Sequence, residues 1–114
     1  MFRFHSGSSA LRTFAAIGPI DPGTLVCHAA DRVQPAAITA AAASCIAGVV
    51  HESTADQAVV NVSSLAIYRI DCPNGSGDFV ALTPSGLIRT DDPARAVAVM
   101  TGPPHLHCVT LAIT

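Results

Sequence analysis

An all-β fold, a small β-barrel with an internal two-fold echo, an extended N-terminal arm and at most one short helix, is what this chain of 114 residues predicts. Three observations lead there. Residues 23–62 and 77–113 run through the same order of parts: a Gly-led turn into a short strand, a polar turn, a returning strand, an apolar strand and a final alternating strand. Apolar stretches are short, closely spaced and punctuated by Gly and Pro, which gives about eight to ten strands. The one segment that propensity marks as helical, residues 36–44, has room for only about two turns and no charged face.

Residues 1–16 read as an arm, with Phe2, Arg3 and Phe4, a Ser/Gly stretch, and rough alternation through Leu11-Arg12-Thr13-Phe14-Ala15-Ala16. Such a segment is either anchored by the domain's own sheet edge, a neighbouring subunit or a larger partner, or is a frayed terminus followed by an ordinary first strand. A single barrel domain then occupies residues 17–114. Gly18-Pro19-Ile20-Asp21-Pro22-Gly23 is dense turn chemistry, because Pro fixes φ and Gly accepts conformations that other residues avoid. A strand over 24–28, a hairpin tip over 29–32 and a return over 33–37 follow, with Pro35 arguing for an edge position. Residues 36–44, nearly all alanine around Ile38-Thr39, form either a short helix or a small-residue connection.

Residues 45–50 are a continuous apolar run suited to a buried central strand, in which Gly48 permits a bulge or a close backbone approach. A polar loop over 51–57 leads to a strand over 58–62. Leu65-Ala66-Ile67-Tyr68-Arg69-Ile70 alternates as a half-buried strand, with Ala66, Tyr68 and Ile70 on one face and Leu65, Ile67 and Arg69 on the other. Cys72-Pro73-Asn74-Gly75-Ser76-Gly77 is the turn between the two echoes. Strands over 79–82, 87–89, 96–100 and 108–113 complete the second set, and Asp91-Asp92-Pro93 and Thr101-Gly102-Pro103-Pro104 are loops.

Composition narrows the function. Hydrophobic residues make up 50% of the chain and charged residues 12%, with mean hydropathy +0.47, against roughly 25% charged in an average domain. The surface is therefore either weakly polar and suited to partners, or simply rich in alanine. A net charge of −2 and a pI near 6.1 supply no electrostatic footprint for nucleic acid or anionic membrane. Every basic residue is Arg, which excludes Schiff-base chemistry, a P-loop lysine and the lysine hairpin of biotinyl or lipoyl carriers. No apolar run approaches the ~20 residues of a membrane span, and the N-terminus lacks a secretion signal. A soluble, intracellular protein with Cys27, Cys45, Cys72 and Cys108 reduced and mostly packed as small hydrophobes is the expectation.

Candidate chemistry is sparse. His105-Leu106-His107-Cys108 is the sharpest cluster: in an extended segment His105 and His107 point the same way, and a third metal ligand could come from Cys27-His28 or His51. The plainer reading is a loop after Pro103-Pro104 with two solvent-facing histidines and a buried thiol. No cysteine is marked as an activated nucleophile, since Asp71 beside Cys72 would raise rather than lower its pKa. Glu52 is the single glutamate, and Asp91-Asp92 before Pro93 has a sufficient conformational reason to be there. Neither a catalytic residue nor a cofactor is expected.

The stretch DRVQPAAITAAAASCIAGVVHESTADQAVVNVSSLAIYRIDC resembles the body of the small head decoration, or cement, proteins of tailed bacteriophages, similar to the lambda head decoration protein and its β-tulip relatives. The matching parts are Arg32-Val33-Gln34-Pro35, Ile46-Ala47-Gly48-Val49-Val50, the polar segment 51–57, Val59-Val60-Asn61-Val62 and Ser63-Ser64-Leu65-Ala66-Ile67-Tyr68. GDFVALTPSGLIRTDDPARAVAVMTG is similar to the later part of such proteins. The chain departs from the pattern at Ser63-Ser64 and at Val99, where glycines are usual.

The resemblance implies a non-enzymatic virion protein on the outer capsid surface, made in the host cytoplasm. It would bind the major capsid protein, associate with itself as a homotrimer, and hold neighbouring capsid subunits together. Phe2, Phe4 and Phe14 would then be apolar anchors and Arg3 and Arg12 their charged partners. Pro19, Ile20, His51, Glu52, Pro103, Pro104 and His105 would lie in loops at subunit contacts. Two other classes stay open: a small metal-binding barrel using His105 and His107, and an oligomeric barrel of a cellular adaptor complex.

Overall fold

Period-two patterning with β-branched residues favours extended backbone, and strands are what the chain forms. A computed structural model describes residues 2–36, 45–71, 74–83 and 86–111. In chain order the strands are β1 (Arg3–Gly7), β2 (Leu11–Ala16), β3 (Leu25–Ala29), β4 (Arg32–Pro35), β5 (Ile46–Ser53), β6 (Gln57–Asn61), β7 (Ala66–Arg69), β8 (Asn74–Gly75), β9 (Phe79–Thr83), β10 (Gly86–Thr90), β11 (Ala98–Thr101) and β12 (Cys108–Leu111). Single 3-10 turns occur at Pro93–Arg95 and Pro104–Leu106. Among the described residues no helix is long and apolar enough to cross a membrane. The alanine-rich connection over 37–44 and Cys72 lie outside the described residues.

The echo in the sequence is an echo in topology. β2 to β6 form a closed barrel in the order β2-β4-β3-β5-β6, and the other strands form a sheet in the order β1-β7-β12-β11-β9-β10-β8. The first set contains the path β4-β3-β5-β6 and the second contains β10-β9-β11-β12, with every pairing inside both paths antiparallel. The correspondence extends further. β2 runs antiparallel to β6 and then, at Ala15 and Ala16, parallel to β4, which closes the barrel. In the second set β7 runs antiparallel to β12, and after residues 70–73 the chain resumes as β8, parallel to β10. β7 and β8 thus take the two neighbour positions that β2 fills alone, and the second set is an open sheet rather than a closed barrel.

Two apolar clusters lie on the opposite faces of β3 and β5, which are buried on both sides. Val26, Ala47 and Val50 pack inside the barrel with Ala16, Ile20, Val33, Ala58 and Val60. Leu25, Cys27, Ile46 and Val49 point the other way, onto Ala66, Tyr68, Ile70, Val80, Val97 and Val109. Two-sided burial is why 45–50 reads as a continuous apolar run rather than an alternating one. The switch of face within β5 is made at a bulge, where Ile46 and Gly48 oppose the adjacent residues Cys27 and Val26. Gly48 has φ 154, and a Cβ there would collide with the Asn61 carbonyl oxygen, so both features expected of this glycine occur together.

Pro35 opposes Val26 on β3, while the β2 ladder beside β4 ends at Val33. Its missing N–H thus falls where no strand asks for one, as an edge proline requires. Asp92 caps the first 3-10 turn by accepting a hydrogen bond from the Ala94 N–H at 3.0 Å.

The structure refines three expectations. Residues 3–7 are anchored by the domain's own sheet edge, β1 adding to β7, the first of the anchors expected, and residues 11–16 form an ordinary strand, β2, which is a stave of the barrel. The closed barrel thus draws β2 from before residue 17, and the strands outside it form the second sheet. The polar loop over 51–57 shrinks to 54–56: a bulge between Val50 and Glu52 absorbs one residue, so Glu52 and Ser53 continue the ladder to Val59 and Ala58.

Candidate functional site

Phe2 is drawn in by its own hydrophobicity and held by its backbone. Its N–H donates to the Gly23 carbonyl at 3.1 Å, and the side chain is 3% exposed. Two residues on, Phe4 lies directly across from Tyr68 in the β1–β7 ladder. Both phenylalanine rings meet the Tyr68 ring edge-on, each with 6.0 Å between centroids, the arrangement that aromatic quadrupoles favour. Phe2 is covered by the core, whereas Phe4 remains 52% exposed.

Where β1 crosses toward the barrel, a cleft of about 500 Å³ opens. Phe2, Phe4, Leu11, Val49 and Tyr68 supply its apolar walls, and Arg3, His51 and Asn61 its polar side chains, with Pro22 and Gly23 at one end. No carboxylate lines it among the described residues. A cleft of this volume, apolar with a few convergent polar groups, has the character of small-molecule sites, which run roughly 300–1,000 Å³.

Asn61 is the buried polar side chain of the core, 5% exposed. Its Oδ1 accepts two backbone hydrogen bonds, from the N–H of Ala10 and of Ser63, both at 3.1 Å. Those two donors fix which way the amide is turned, since only the oxygen can accept. The Nδ2 group is thereby left as the end of Asn61 without a protein partner. Tyr68, 2% exposed, is a buried case: its hydroxyl has no hydrogen-bond partner among the described residues. Burial of the phenol, which penalises the phenolate, pushes its pKa up to about 12.

Arg3 stands opposite Arg69 across the ladder, a like-charge pair relieved when the Arg3 guanidinium turns to Asp71 at 3.3 Å. Both partners are well exposed, so this bridge adds little to stability and leaves the guanidinium exchangeable.

Sequence reasoning singled out Phe2, Arg3, Phe4 and His51, and the fold gathers those four around one cleft. It separates the others. Phe14 is not a free anchor, because it packs on the barrel core with its ring 5.5 Å from that of His28 and the Arg12 guanidinium 5.6 Å above it. Ile20 is not a surface contact residue; it is buried in the barrel, with its N–H and C=O both bonded to the Ser53 hydroxyl at 2.9 and 2.8 Å. Pro19, Glu52, Pro103 and His105 are exposed and do not line the cleft. Pro104 opens the second 3-10 turn.

That turn also removes the premise that aimed His105 and His107 together, since the segment is not extended and His107 has φ 52. Among the described residues no group of three His, Cys, Asp or Glu side chains is placed to hold a metal ion.

Residues that sequence reasoning missed are Asn61, Leu11 and the role of Tyr68. A lone Asn at the end of an apolar strand and the chain's single tyrosine on a buried face were the signals available. Comparison with protein-family models, with curated proteins and with solved structures finds no match.

Proposed function

We propose that this chain is a structural virion protein: a decoration protein that binds the outer surface of a mature phage head and stabilises contacts between major capsid subunits. The observation that carries the reading is where its uncovered apolar side chains lie. Among the described residues five large hydrophobics are exposed, and three of them, Phe4, Leu11 and Ile17, come from the first 17 residues, with Ile17 reaching 78%. Phe4 and Leu11 line one cleft and Ile17 follows β2, and uncovered apolar side chains are what a partner would cover. The resemblance of the strand order to phage cement proteins, and the low charge of the whole chain, point to the same class.

The physical logic is mass action. A protein that binds only the expanded lattice stabilises it by RT ln(1 + [L]/Kd) at each site, and repetition over many sites makes a modest interface sufficient. A homotrimer at three-fold positions suits such a lattice. The test is co-sedimentation of the purified protein with expanded and unexpanded heads of the virus whose genome encodes it. Saturable binding to expanded heads alone is expected, weakened about tenfold or more by joint Phe4→Ser and Ile17→Ser substitution with circular dichroism unchanged. Failure to sediment with expanded heads overturns the reading.

A further inference from the structure

We propose that the cleft between β1 and the barrel is a binding site for a small aromatic carboxylate. The site has a built polar end. Asn61 is buried and its oxygen is committed to the Ala10 and Ser63 N–H groups, so its NH2 is a preoriented donor with no protein acceptor. Arg3 and His51 line the same cleft. Three donor side chains with no carboxylate among the lining residues select an acceptor, and an anionic one above all.

The other end is aromatic and aliphatic. Tyr68 presents a wall flanked by Phe2 and Phe4, and Phe4 is half-uncovered in the free protein. A ligand ring laid against Phe4 and Leu11 would cover apolar surface that is otherwise wet. The volume, about 500 Å³, accommodates one aromatic ring on a short acidic chain. The Tyr68 hydroxyl in the same wall is a buried polar atom without a hydrogen-bond partner among the described residues. Buried polar groups ordinarily find partners, and one left unsatisfied beside the cleft suits a site completed by its ligand.

The experiment titrates the full chain with phenylpropionate, phenylpropanamide and phenylpropanol. Binding is followed by the fluorescence of Tyr68, the single tyrosine in a chain without tryptophan, and by backbone amide NMR shifts. Saturable one-site binding of the acid is expected, with the alcohol weaker by about tenfold or more. Asn61→Asp keeps an oxygen for both backbone N–H groups but replaces the donor with a negative charge, and is expected to abolish binding of the acid. Leu11→Trp, at an exposed position, fills the cleft without touching the core and is expected to abolish binding of all three compounds. The proposal is overturned if the acid shows no saturable binding, if the alcohol binds as well as the acid, or if Leu11→Trp leaves binding intact.

Discussion

The Phe2 ring stands edge-on to the Tyr68 ring, 6.0 Å between centroids and 88° between planes, so the chain's second residue is part of the main apolar core. This contact separates an integral strand from a loose tail. Phe2→Ala is expected to lower unfolding free energy by about 3 kcal/mol, the low end for a buried phenylalanine because a site near the chain start can partly collapse. Urea denaturation measures it, and an unchanged midpoint would show that Phe2 is not part of the core.

Deletions test the same point on a larger scale. Removing residues 1–7 takes away Phe2 and the edge strand β1, and the barrel should persist with a lower midpoint. Removal through residue 16 also takes β2, whose ladders to β6 and β4 close the barrel. Two open edges would then be exposed, and loss of cooperative unfolding with aggregation on size-exclusion chromatography is expected.

Tyr68 couples stability to alkaline pH. Its folded-state pKa is about 12 against 10.0 for an unburied phenol, so the folded protein holds the proton more tightly than the unfolded chain does. Stability from this group is complete below pH 10 and is lost progressively as pH rises from 10 toward 12. Phenolate absorbance in the near ultraviolet reports the single tyrosine directly, and a midpoint near 10 in the folded protein would contradict the burial. Tyr68→Phe removes a hydroxyl with no partner, and is expected to be neutral or stabilising by up to ~1 kcal/mol while abolishing this alkaline slope.

Gly48 is the most constrained backbone position in β5. A Cβ would meet the Asn61 carbonyl, and φ 154 is itself unfavourable for other residues. Gly48→Ala is expected to cost at least ~2 kcal/mol, from backbone strain together with displacement of β6. Thermal unfolding of this variant beside Gly86→Ala, whose Cβ would meet no atom within 4 Å, separates the clash from the general cost of leaving a positive φ.

The sequence by itself determined the class of fold, most strand positions and the doubling. Those follow from period-two patterning, Gly and Pro punctuation and the two-faced apolar run over 45–50, all of which act within a few residues of the chain. It also marked Gly48 and Pro35 for their backbone roles, because φ restrictions and a missing N–H are properties of the residue itself. What it left open was every relation across the chain. That β2 closes the barrel while the second set stays an open sheet with β7 and β8 flanking its matching path depends on pairings between segments far apart in sequence. Burial of Phe2 and Ile20, the turned amide of Asn61 and the cleft that joins Phe4 to His51 depend on the same pairings. Local pattern fixes which face of a strand is apolar, but only the assembled sheets decide what each face meets.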